Sequence, residues 1–473
     1  MSATIPWSVP EILEAVGGRL LTGSRNKIFD AVSIDSRNIS GENLFVAIKG
    51  EHHDGHHYLK DVLQKGVKGF LVSESQTEAV GSKNHKDSGP VFIAVQDTTK
   101  ALGDMASYNR RRSGVRVVAI TGSNGKTTTR KMCAAVVRRR FSTLSSHGNF
   151  NNHIGLPLTL LNLSPEHHCA VLEMGANHPG EIAYLTRICH PDIAVVTNVG
   201  PAHLEGFGSL EGVVRAKGEL LDHMSSDGVA VLNADDERVV SMADRAPGKV
   251  IFYGTSNRAD IRASDIAGKK RETCFTLQLP QQHIPVCIKI PGFFMVLNAL
   301  AAASAGYYLG LEASEIKEAL ENDFQPAPAR MNIWESSSGI HVIDDTYNAN
   351  PESMAAALRV LKSLKGQHRG IFVAGDMLEL GDHAPVLHKK IGETAADIKI
   401  SRLYAFGPHA HMVIEGATAG GMAKKDVFAG TKEEILSDLK NQLKTGDWVL
   451  VKGSRGMGME QVVEGLKKQT GQL

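Results

Sequence analysis

The sequence has no excess of charge of either sign. Lys and Arg number 52 and Asp and Glu number 51, which leaves a formal net charge of +1 over 473 residues. A large field of one sign is what draws a protein to nucleic acid or to an anionic membrane surface. We therefore expect neither partner, and any anionic ligand must be held by a local site.

A long apolar run is also missing. No uninterrupted hydrophobic stretch approaches the roughly 18 residues that a membrane-spanning helix needs. The N-terminal residues MSATIPWSVPEILEAVGG contain neither a basic n-region nor an apolar h-region, which excludes a secretory signal of the usual kind. Instead, Ser8 is expected to cap a helix with Pro10 and Glu11 in its first turn and Gly17 at its end. We expect a cytoplasmic, monomeric protein without a membrane span.

The cysteines form no recognisable pair. Cys133, Cys169, Cys189, Cys274 and Cys287 are odd in number and widely spaced, and they include no C-x-x-C. This pattern argues against a disulfide framework and against a zinc ribbon. We expect five reduced thiols.

The length of the chain predicts several domains, since single hydrophobic cores stop growing near about 250 to 300 residues. A helical pattern ends near Ser113, and a compact β-branched strand follows it. A stiff linker by composition stands at residues 325–328, Gln-Pro-Ala-Pro. We therefore expect domains at 1–113, 114–326 and 327–473.

The pattern of apolar runs predicts an α/β fold in each domain. In the middle of the chain, VVAI, CAVLEM, DIAVVTNV, GVAVLN and KVIFYG alternate with helical stretches. Continuously apolar strands in this alternation are typical of a doubly wound parallel sheet. Residues 259–290 instead alternate polar and apolar side chains, which suits antiparallel hairpins. A polar segment at 73–89 interrupts the strands of the first domain.

Two arginine triplets, 110–112 and 138–140, end predicted helices. Cations are favoured near a helix C-terminus, so we interpret both triplets as solvated helix ends and not as a nucleic-acid site.

A glycine loop between a strand and a helix is the strongest chemical motif. The strand VVAI runs into Thr121, Gly122, Ser123, Asn124, Gly125, Lys126, Thr127 and Thr128. Backbone N–H groups in such a loop converge with the helix N-terminus on phosphate oxygens. Lys126 would contact the β- and γ-phosphates of ATP and Thr127 a Mg²⁺ ion. The usual pattern has a further glycine where Ile120 stands, so a chance loop containing GKT is the alternative.

The loop TGSNGKTTT resembles that of the Mur ligase family, and further matches follow in family order over nearly the whole chain. SIDSR and GENLFVAIKGEHHDGHHYL resemble its uridine-nucleotide-binding domain. GNFNN with IGLPLTLL, then DDTYNANP, GDMLELG and KGSR, are similar to strings of its dipeptide-adding branch. The resemblance implies a UDP-binding N-terminal α/β domain, a central P-loop ATPase-like domain with a parallel sheet, and a Rossmann-like C-terminal α/β domain.

The activity implied by the resemblance is ATP-dependent ligation of D-alanyl-D-alanine to UDP-N-acetylmuramoyl-tripeptide for peptidoglycan synthesis. An acyl phosphate would form on the tripeptide carboxylate, and Lys126 and Arg330 would neutralise the growing charge. Arg330 and Asp345 would reach ATP from the C-terminal domain, so domain closure would gate the chemistry.

The resemblance also implies two Mg²⁺ ions. Glu173 and His203 fall where the family has metal-binding side chains, and Lys217 falls where it has a carbamylated lysine. Alone, Glu173 at a strand end suits Mg²⁺ or is a solvated carboxylate. By the same reasoning His203 is a metal ligand or an exposed loop histidine, and Lys217 would be a surface lysine.

Further residues are expected to bind substrates by the same resemblance. They are Ser36, Arg37, Asp54, Gly55, His56, Asn149, Asn151, Asn152, Tyr347, Asn348, Asn350, Lys452, Ser454 and Arg455.

One stretch departs from the family pattern GxHNxxNAL, because Phe294 and Met295 replace its His-Asn. A thioether then stands where an amide would hydrogen-bond near the adenine. We expect Asn298 to remain as the nucleotide contact.

Three alternatives remain. The histidine-rich stretch 52–57 could hold zinc, although it lacks the usual spacing and a closing partner. The chain could be another amide ligase of the superfamily, adding a diamino acid or extending folate with glutamate, but the DNPR string of the diamino-acid enzyme is absent and FGPH stands at 406–409. It could also be a non-catalytic nucleotide-binding protein that keeps the fold.

Overall fold

A computed structural model describes residues 4–76, 89–269 and 271–469. Three sheets of five, nine and six strands, together with one two-stranded ribbon, organise this part of the chain. The predicted α/β architecture with three domains is confirmed. Of the polar segment predicted at 73–89, residues 77–88 lie outside the described residues.

The first sheet has the order β2-β7-β6-β5-β4, in which β4 to β7 are parallel and β2 is antiparallel to β7. The elements are β1 (Trp7–Ser8), α1 (Val9–Val16), β2 (Arg19–Thr22), β3 (Ile28–Phe29), β4 (Ala31–Ser33), β5 (Asn43–Val46), α2 (Leu59–Gln64), β6 (Gly69–Ser73), β7 (Val91–Val95) and α3 (Thr98–Ser113). Ser8 caps α1 in a capping box with Glu11, and Gly17 ends the helix in the left-handed region, as predicted.

The central sheet has the order β16-β15-β14-β13-β12-β11-β8-β10-β9. Its strands are β8 (Arg116–Thr121), β9 (Thr143–Ser145), β10 (Cys169–Glu173), β11 (Ile193–Val196), β12 (Val229–Asn233), β13 (Lys249–Gly254), β14 (Ile261–Lys269), β15 (Glu272–Gln278) and β16 (His283–Ile288). Pairing is parallel from β9 to β14 and antiparallel from β14 to β16. The predicted parallel sheet with an antiparallel extension is therefore confirmed.

Helices cover both faces of the central sheet. They are α4 (Lys126–Arg138), α5 (Gly155–Leu161), α6 (Glu181–Cys189), α7 (Leu204–Phe207), α8 (Leu210–Asp222), α9 (Glu237–Val240), α10 (Phe293–Tyr308) and α11 (Ala313–Glu318). One core combines α4 and α10 with one face, and another combines α5, α6 and α8 with the opposite face and with residues of the first domain. The parallel strands are buried on both faces, which explains their continuous apolar sequences.

The C-terminal sheet has the order β17-β18-β22-β19-β20-β21. Its elements are β17 (Asn332–Glu335), β18 (His341–Asp345), α12 (Pro351–Lys365), β19 (Gly370–Gly375), α13 (Ala384–Asp397), β20 (Arg402–Phe406), α14 (Ala410–Ala419), β21 (Val427–Ala429), α15 (Lys432–Gln442), β22 (Trp448–Lys452) and α16 (Glu460–Gln469). Strand β17 was not predicted, because it is short and mostly half-buried and shows no apolar run. It pairs antiparallel with β18 and lengthens an otherwise parallel sheet.

The interpretation of the arginine triplets as solvated helix ends is wrong for Arg110 and Arg112. Arg110 donates to the carbonyl of Cys189 at 3.0 Å and pairs with Asp192 at 2.9 Å. Arg112 lies 4.0 Å from the centre of the Trp7 ring and pairs with Glu11 at 3.0 Å. Both side chains tie the end of α3 to neighbouring elements, a role that helix position alone could not reveal.

Arg139 and Arg140 are partly exposed and also paired. Arg139 contacts Glu318 and Asp323, and Arg140 contacts Glu315 at 2.6 Å. These ion pairs attach the end of α4 to the helical segment around α11.

The prediction of five reduced thiols is wrong for two of them. Cys274 and Cys287 are direct cross-strand partners on β15 and β16, with Cα atoms 4.0 Å apart, and they form a disulfide. Strand register joins them although they are 13 residues apart. Cys133, Cys169 and Cys189 are free and buried. Burial raises the pKa of the Cys169 thiol to about 12.

Within the described residues, no helix combines the length and the hydrophobicity that a membrane crossing requires.

Helices α13 and α14 approach each other closely because glycines stand at the contact. A Cβ added to Gly416 would lie 1.9 Å from the carbonyl oxygen of Lys389, and one added to Gly392 would lie 2.0 Å from that of Val413. We predict that Gly416→Ala lowers the free energy of unfolding of the C-terminal domain by about 3 kcal/mol, because backbone must move to admit the methyl group. Urea unfolding followed by circular dichroism measures this change.

Gly268→Ala is the control, since a Cβ there meets no heavy atom within 4 Å. It should change stability by less than about 0.5 kcal/mol. Equal stability of both variants would show that the helices separate without cost.

Candidate functional site

The glycine loop lies at the carboxyl edge of the central sheet, where open α/β sheets bind ligands. It connects β8 to α4, and β8 lies between β10 and β11. Glu173 ends β10, so its carboxylate is at the same edge. The loop after β11 carries Thr197 and Asn198, which contact the glycine loop directly.

Close approach explains both glycines of the loop. Gly122 and Gly125 have φ angles of 142° and 80°, which favour glycine. A Cβ on Gly122 would lie 2.0 Å from the Thr197 hydroxyl, and one on Gly125 would lie 2.4 Å from Asn298 Oδ1. Asn198 Oδ1 accepts from the Asn124 N–H at 2.8 Å. Thr197, Asn198 and Asn298 therefore lie against the loop, and only glycine fits at positions 122 and 125.

Lys126 begins α4 and folds back over the loop. Its Nζ donates to the carbonyls of Gly122 at 2.7 Å and Ser123 at 3.2 Å. Burial lowers the pKa of Lys126, while the negative charge of Glu173 raises it and the positive charge of Arg330 lowers it. Charged groups of the middle and C-terminal domains therefore both affect the pKa of the Lys126 ammonium.

Glu173 is buried and paired, which excludes a solvated carboxylate. The residue is 3% exposed. Its Oε2 lies 3.3 Å from Arg130 Nε, and its Oε1 accepts from Asn151 Nδ2 at 3.0 Å. Arg130 also donates to the Ser145 hydroxyl and to the Ser146 carbonyl. Sequence reasoning missed Arg130, although its place one helical turn after Thr127 is a usable signal.

Lys217 is buried in α8 and is not a surface lysine. The residue is 1% exposed, and its Nζ lies 5.3 Å from the centre of the Phe207 ring. None of the described hydrogen bonds or ion pairs involves its side chain. Burial, together with the charge of Lys126, lowers the pKa of Lys217 to about 7. A neutral amine is therefore accessible near neutral pH.

His203 contacts the C-terminal domain. Its Nδ1 lies 2.5 Å from Glu379 Oε2, and its side chain is 23% exposed. Its ring is edge-on to Phe207, which in turn faces Lys217. His203 and Lys217 therefore both lie near the Phe207 ring.

The C-terminal residues predicted for ATP form two contacts at the carboxyl edge of their own sheet. Asp345 accepts from Lys452 Nζ at 2.6 Å, and Lys452 also donates to the Asn348 carbonyl at 2.9 Å. The Arg330 guanidinium lies 4.0 Å from the centre of the Tyr347 ring, and Arg455 lies at 5.7 Å. Two cations thus lie near the Tyr347 ring.

The middle and C-terminal domains also contact each other at the glycine loop. Asn350 Nδ2 donates to Asn124 Oδ1 at 2.7 Å, and Asn124 Nδ2 lies 3.4 Å from Glu352 Oε2. A Cβ on Gly200 would lie 2.0 Å from Glu352 Oε2, so a larger residue would obstruct this approach. Glu352 was not predicted, since only domain docking brings it here.

Asn298 lies against the glycine loop at Gly125. It is 5% exposed, and its Oδ1 accepts from Thr129 at 3.2 Å. Its amide lies 3.7 Å from the Met295 sulfur, and Met295 is 2% exposed. Met295 is therefore a core side chain beside Asn298.

The remaining residues predicted in the middle and C-terminal domains differ in their local contacts. Asn151 reaches Glu173, whereas Asn152 Oδ1 accepts from the N–H groups of Ile154 and Gly155 at the start of α5. Ser454 bridges the Ala349 carbonyl and the Leu378 N–H. Asn149 is exposed.

In the first domain, the predicted residues make local contacts. Asp54 caps a short 3-10 helix from Gly55 and accepts from the His56 ring at 2.6 Å, while His56 Nε2 accepts from the Ser73 N–H. Both ring nitrogens of His56 therefore have structural partners. Arg37 is exposed and pairs with Asp35, and the carbonyl of Ser36 accepts from Lys65.

The zinc alternative for 52–57 finds no support in the part of the chain that the structure describes. Three potential metal ligands meet instead at Asp376, His388 and His409. Asp376 accepts from the N–H and the ring of His409, and His388 links the Ala384 carbonyl to the Met377 N–H. These groups satisfy one another, so the cluster is a hydrogen-bonded support for the loop after β19.

A phosphate-loop domain faced by cations of a second α/β domain is the arrangement of a nucleotide-dependent transferase or ligase. Models of the Mur ligase family match in three places: the family's catalytic domain at 29–110, the middle domain at 120–306 and the glutamate ligase domain at 329–455. The chain belongs to the Mur ligase family.

Among its relatives is the UDP-N-acetylmuramoyl-tripeptide--D-alanyl-D-alanine ligase of Bacillus subtilis, which is 35% identical over 97% of this chain and 98% of the relative. A crystal structure of MurF from Acinetobacter baumannii superposes with a TM-score of 0.88 at 32% identity, covering 98% of this chain and 100% of that one. MurF from Thermotoga maritima in complex with ADP has a TM-score of 0.81 at 27% identity, covering 93% and 98%.

The Arg130–Glu173 pair yields a prediction about stability. Removing one partner of a buried ion pair costs about 3 to 5 kcal/mol, because the other charge stays buried without compensation. We predict that Arg130→Met destabilises α4 and β10 by this amount, measured by hydrogen exchange of their amides. The double variant Arg130→Met/Glu173→Gln should recover a large part of the loss. Equal protection in Arg130→Met and the parent would show that Asn151 alone satisfies the carboxylate.

Proposed function

We propose that this protein catalyses the ATP-dependent ligation of D-alanyl-D-alanine to UDP-N-acetylmuramoyl-tripeptide, which yields the pentapeptide precursor of peptidoglycan. Relatives with this name match over nearly their whole length. The observation that carries the proposal is the joint occurrence of a complete phosphate loop, the buried Glu173 and Lys217, and the docked Arg330 and Lys452 at one cleft. The same role places the protein in cell-wall formation and, through it, in cell shape and division.

The reaction has two steps. The terminal carboxylate of the tripeptide attacks the γ-phosphorus of ATP, the bond to the bridging oxygen breaks, and ADP leaves. The amine of D-alanyl-D-alanine then attacks the acyl carbonyl, loses a proton and expels phosphate. Two anions must meet in the first step, so Lys126 and Arg330 neutralise charge that grows in the transition state. Asp345 keeps Lys452 beside the Tyr347–Asn348 segment, where a substrate carboxylate or phosphate can be held.

The glycine loop holds the phosphates of ATP through the N–H groups of residues 121–128. Asn298 acts on this site through Gly125 and Thr129. The adenine is expected near Phe293, which is 52% exposed at the start of α10, so stacking can replace the missing family amide. Met295 is too buried to contact it directly.

The side chains around the loop fit Mg²⁺. Thr127 supplies a hydroxyl and Glu173 a buried carboxylate, and hard oxygen donors are what Mg²⁺ prefers. A carbamate on Lys217 would supply a further carboxylate, and His203 would supply an imidazole nitrogen. When bound, the two ions stabilise charge on the reacting carboxylate and phosphates.

Lys217 has the properties that carbamate formation needs. A neutral amine attacks CO₂ and releases one proton, so a buried lysine with a lowered pKa reacts more readily than an exposed one. Its Nζ faces an aromatic ring and lacks a polar partner among the described residues. The carbamate carboxylate would acquire such partners in the bound metal and its ligands.

The UDP-muramoyl substrate is assigned to the first domain. Ser36, Arg37 and the segment Asp54–His56 lie there, with His56 stabilising the segment. Arg37 is exposed, and it would exchange its pair with Asp35 for a pyrophosphate. Asn149, Asn151, Asn152, Asn350, Ser454 and Arg455 line or support the path toward the phosphate loop. The assignment keeps the boundaries 1–113, 114–326 and 327–473, a cytoplasmic location and a monomeric state.

The proposed activity predicts strict dependence on both substrates. ADP and phosphate should appear only when UDP-muramoyl-tripeptide and D-alanyl-D-alanine are both present, because the acyl phosphate must be captured by the amine. Coupled detection of ADP, with mass spectrometry of the product, measures this. Turnover with a single diamino acid but not with D-alanyl-D-alanine would overturn the assignment and favour another branch of the family.

The carbamate yields a sharper prediction. Lys217→Ala should reduce the rate by at least about 100-fold while ATP still binds, since the phosphate loop stays intact and a metal ligand is lost. Acetate at high concentration should restore part of the rate by filling the vacated position. Lys217→Arg should stay inactive, because a guanidinium does not lose its charge. Parent-like turnover of either variant in CO₂-depleted buffer would refute the carbamate.

A further inference from the structure

The contact between His203 and Glu379 joins two domains through a ring nitrogen and a carboxylate. Glu379 lies in the loop after β19, and His203 directly precedes α7. Besides the 2.5 Å contact between Nδ1 and Oε2, the Glu205 N–H donates to the Glu379 carbonyl at 3.3 Å. Side chain and backbone of Glu379 thus both reach the segment that carries His203.

Both residues adopt a backbone conformation that is unfavourable for them. His203 has a φ of 54° and Glu379 a φ of 61°, in the left-handed region. Such conformations persist where the surrounding structure imposes them, and they concentrate at functional sites. Here the two strained residues face each other across a domain boundary.

The carboxylate determines which ring nitrogen of His203 is available. An ionised carboxylate only accepts hydrogen bonds, so Nδ1 must carry the proton in this contact. In the neutral ring, Nε2 then has the free lone pair. Metal-binding histidines usually donate their other N–H to a carboxylate or carbonyl, which fixes tautomer and ring orientation.

We propose that Glu379 is a positioning residue that prepares His203 Nε2 for a metal ion. When the two domains close, Glu379 of the C-terminal domain would orient the His203 ring of the middle domain for metal binding. This inference rests on the proposed function and deepens it, because it makes metal affinity depend on a residue that touches neither ATP nor metal.

A half-exposed interdomain ion pair without this role is the competing explanation. Glu379 is 50% exposed in its side chain, and exposed pairs contribute little to stability. Such a pair would influence domain docking but would leave the metal affinity of the closed protein unchanged. Metal affinity and docking must therefore be measured separately.

The test uses the full chain with ADP bound and Mn²⁺ as the probe, with free Mn²⁺ quantified by electron paramagnetic resonance. Glu379→Gln keeps the shape but lets an amide donate or accept, so the tautomer is no longer fixed. Glu379→Ala removes the contact. Both should weaken Mn²⁺ binding by about 10-fold or more, as loss of outer-shell partners does elsewhere. Small-angle scattering of the same samples reports closure.

Asp382→Asn is the matched control, since it removes an exposed carboxylate three residues away that has no partner among the described contacts. It should leave Mn²⁺ affinity unchanged. Parent-like affinity in Glu379→Gln, or an equal loss in Asp382→Asn, overturns the inference. A change in closure with unchanged affinity overturns it as well. A parent protein that forms no pentapeptide product overturns the proposed function instead.

Discussion

A concentration of basic side chains at the carboxyl edge of the central sheet is the constraint on which the site depends. Arg130 of α4 and Lys217 of α8 are buried, whereas Lys126 of α4 and Arg330 of the C-terminal domain are partly buried. Glu173 is the buried carboxylate that pairs with part of this charge. Burial penalises cations without partners, so anions that enter the cleft stabilise the arrangement. The phosphates of ATP supply such anions.

This electrostatic need explains why the cleft is divided between two domains. In a single rigid pocket, these cations would repel one another whenever no ligand was bound. Polar contacts such as Asn124–Asn350 contribute only about 1 kcal/mol each, so they can break and reform. If the domains separate, water reaches the charges until ligands replace it.

The sequence predicted those features that depend on local order. The strand before Gly122, the helix from Lys126 and the alternation at 259–290 could be recognised because each element carries its own pattern. Glu173 and the glycine loop could be placed at one edge because parallel strands end together. The burial of Lys217 was not predicted from its neighbours, although Val213, Leu220 and Leu221 stand four residues before, three after and four after it and place it on an apolar helix face.

Other features depend on how distant segments dock. Arg130 could not be assigned to Glu173, nor Glu379 to His203, without the positions of two sheets or two domains. The Cys274–Cys287 pair required the register of a hairpin. Strand β17 lacked an apolar run, and Arg110 and Arg112 had the composition of solvated residues while their partners lay far along the chain.

The glycine at position 200 gives the cleft a mechanical limit. Its missing side chain leaves room for the Glu352 carboxylate at the start of α12. If the C-terminal domain moves toward the glycine loop, as domain closure would require, that gap limits how closely the two can approach. A relative with alanine or serine there would reach its end point about one methyl group earlier, and the reacting atoms would meet at a different separation. Small misplacements of reacting groups cost large factors in rate. The size of the residue at position 200 would therefore affect the rate of bond formation.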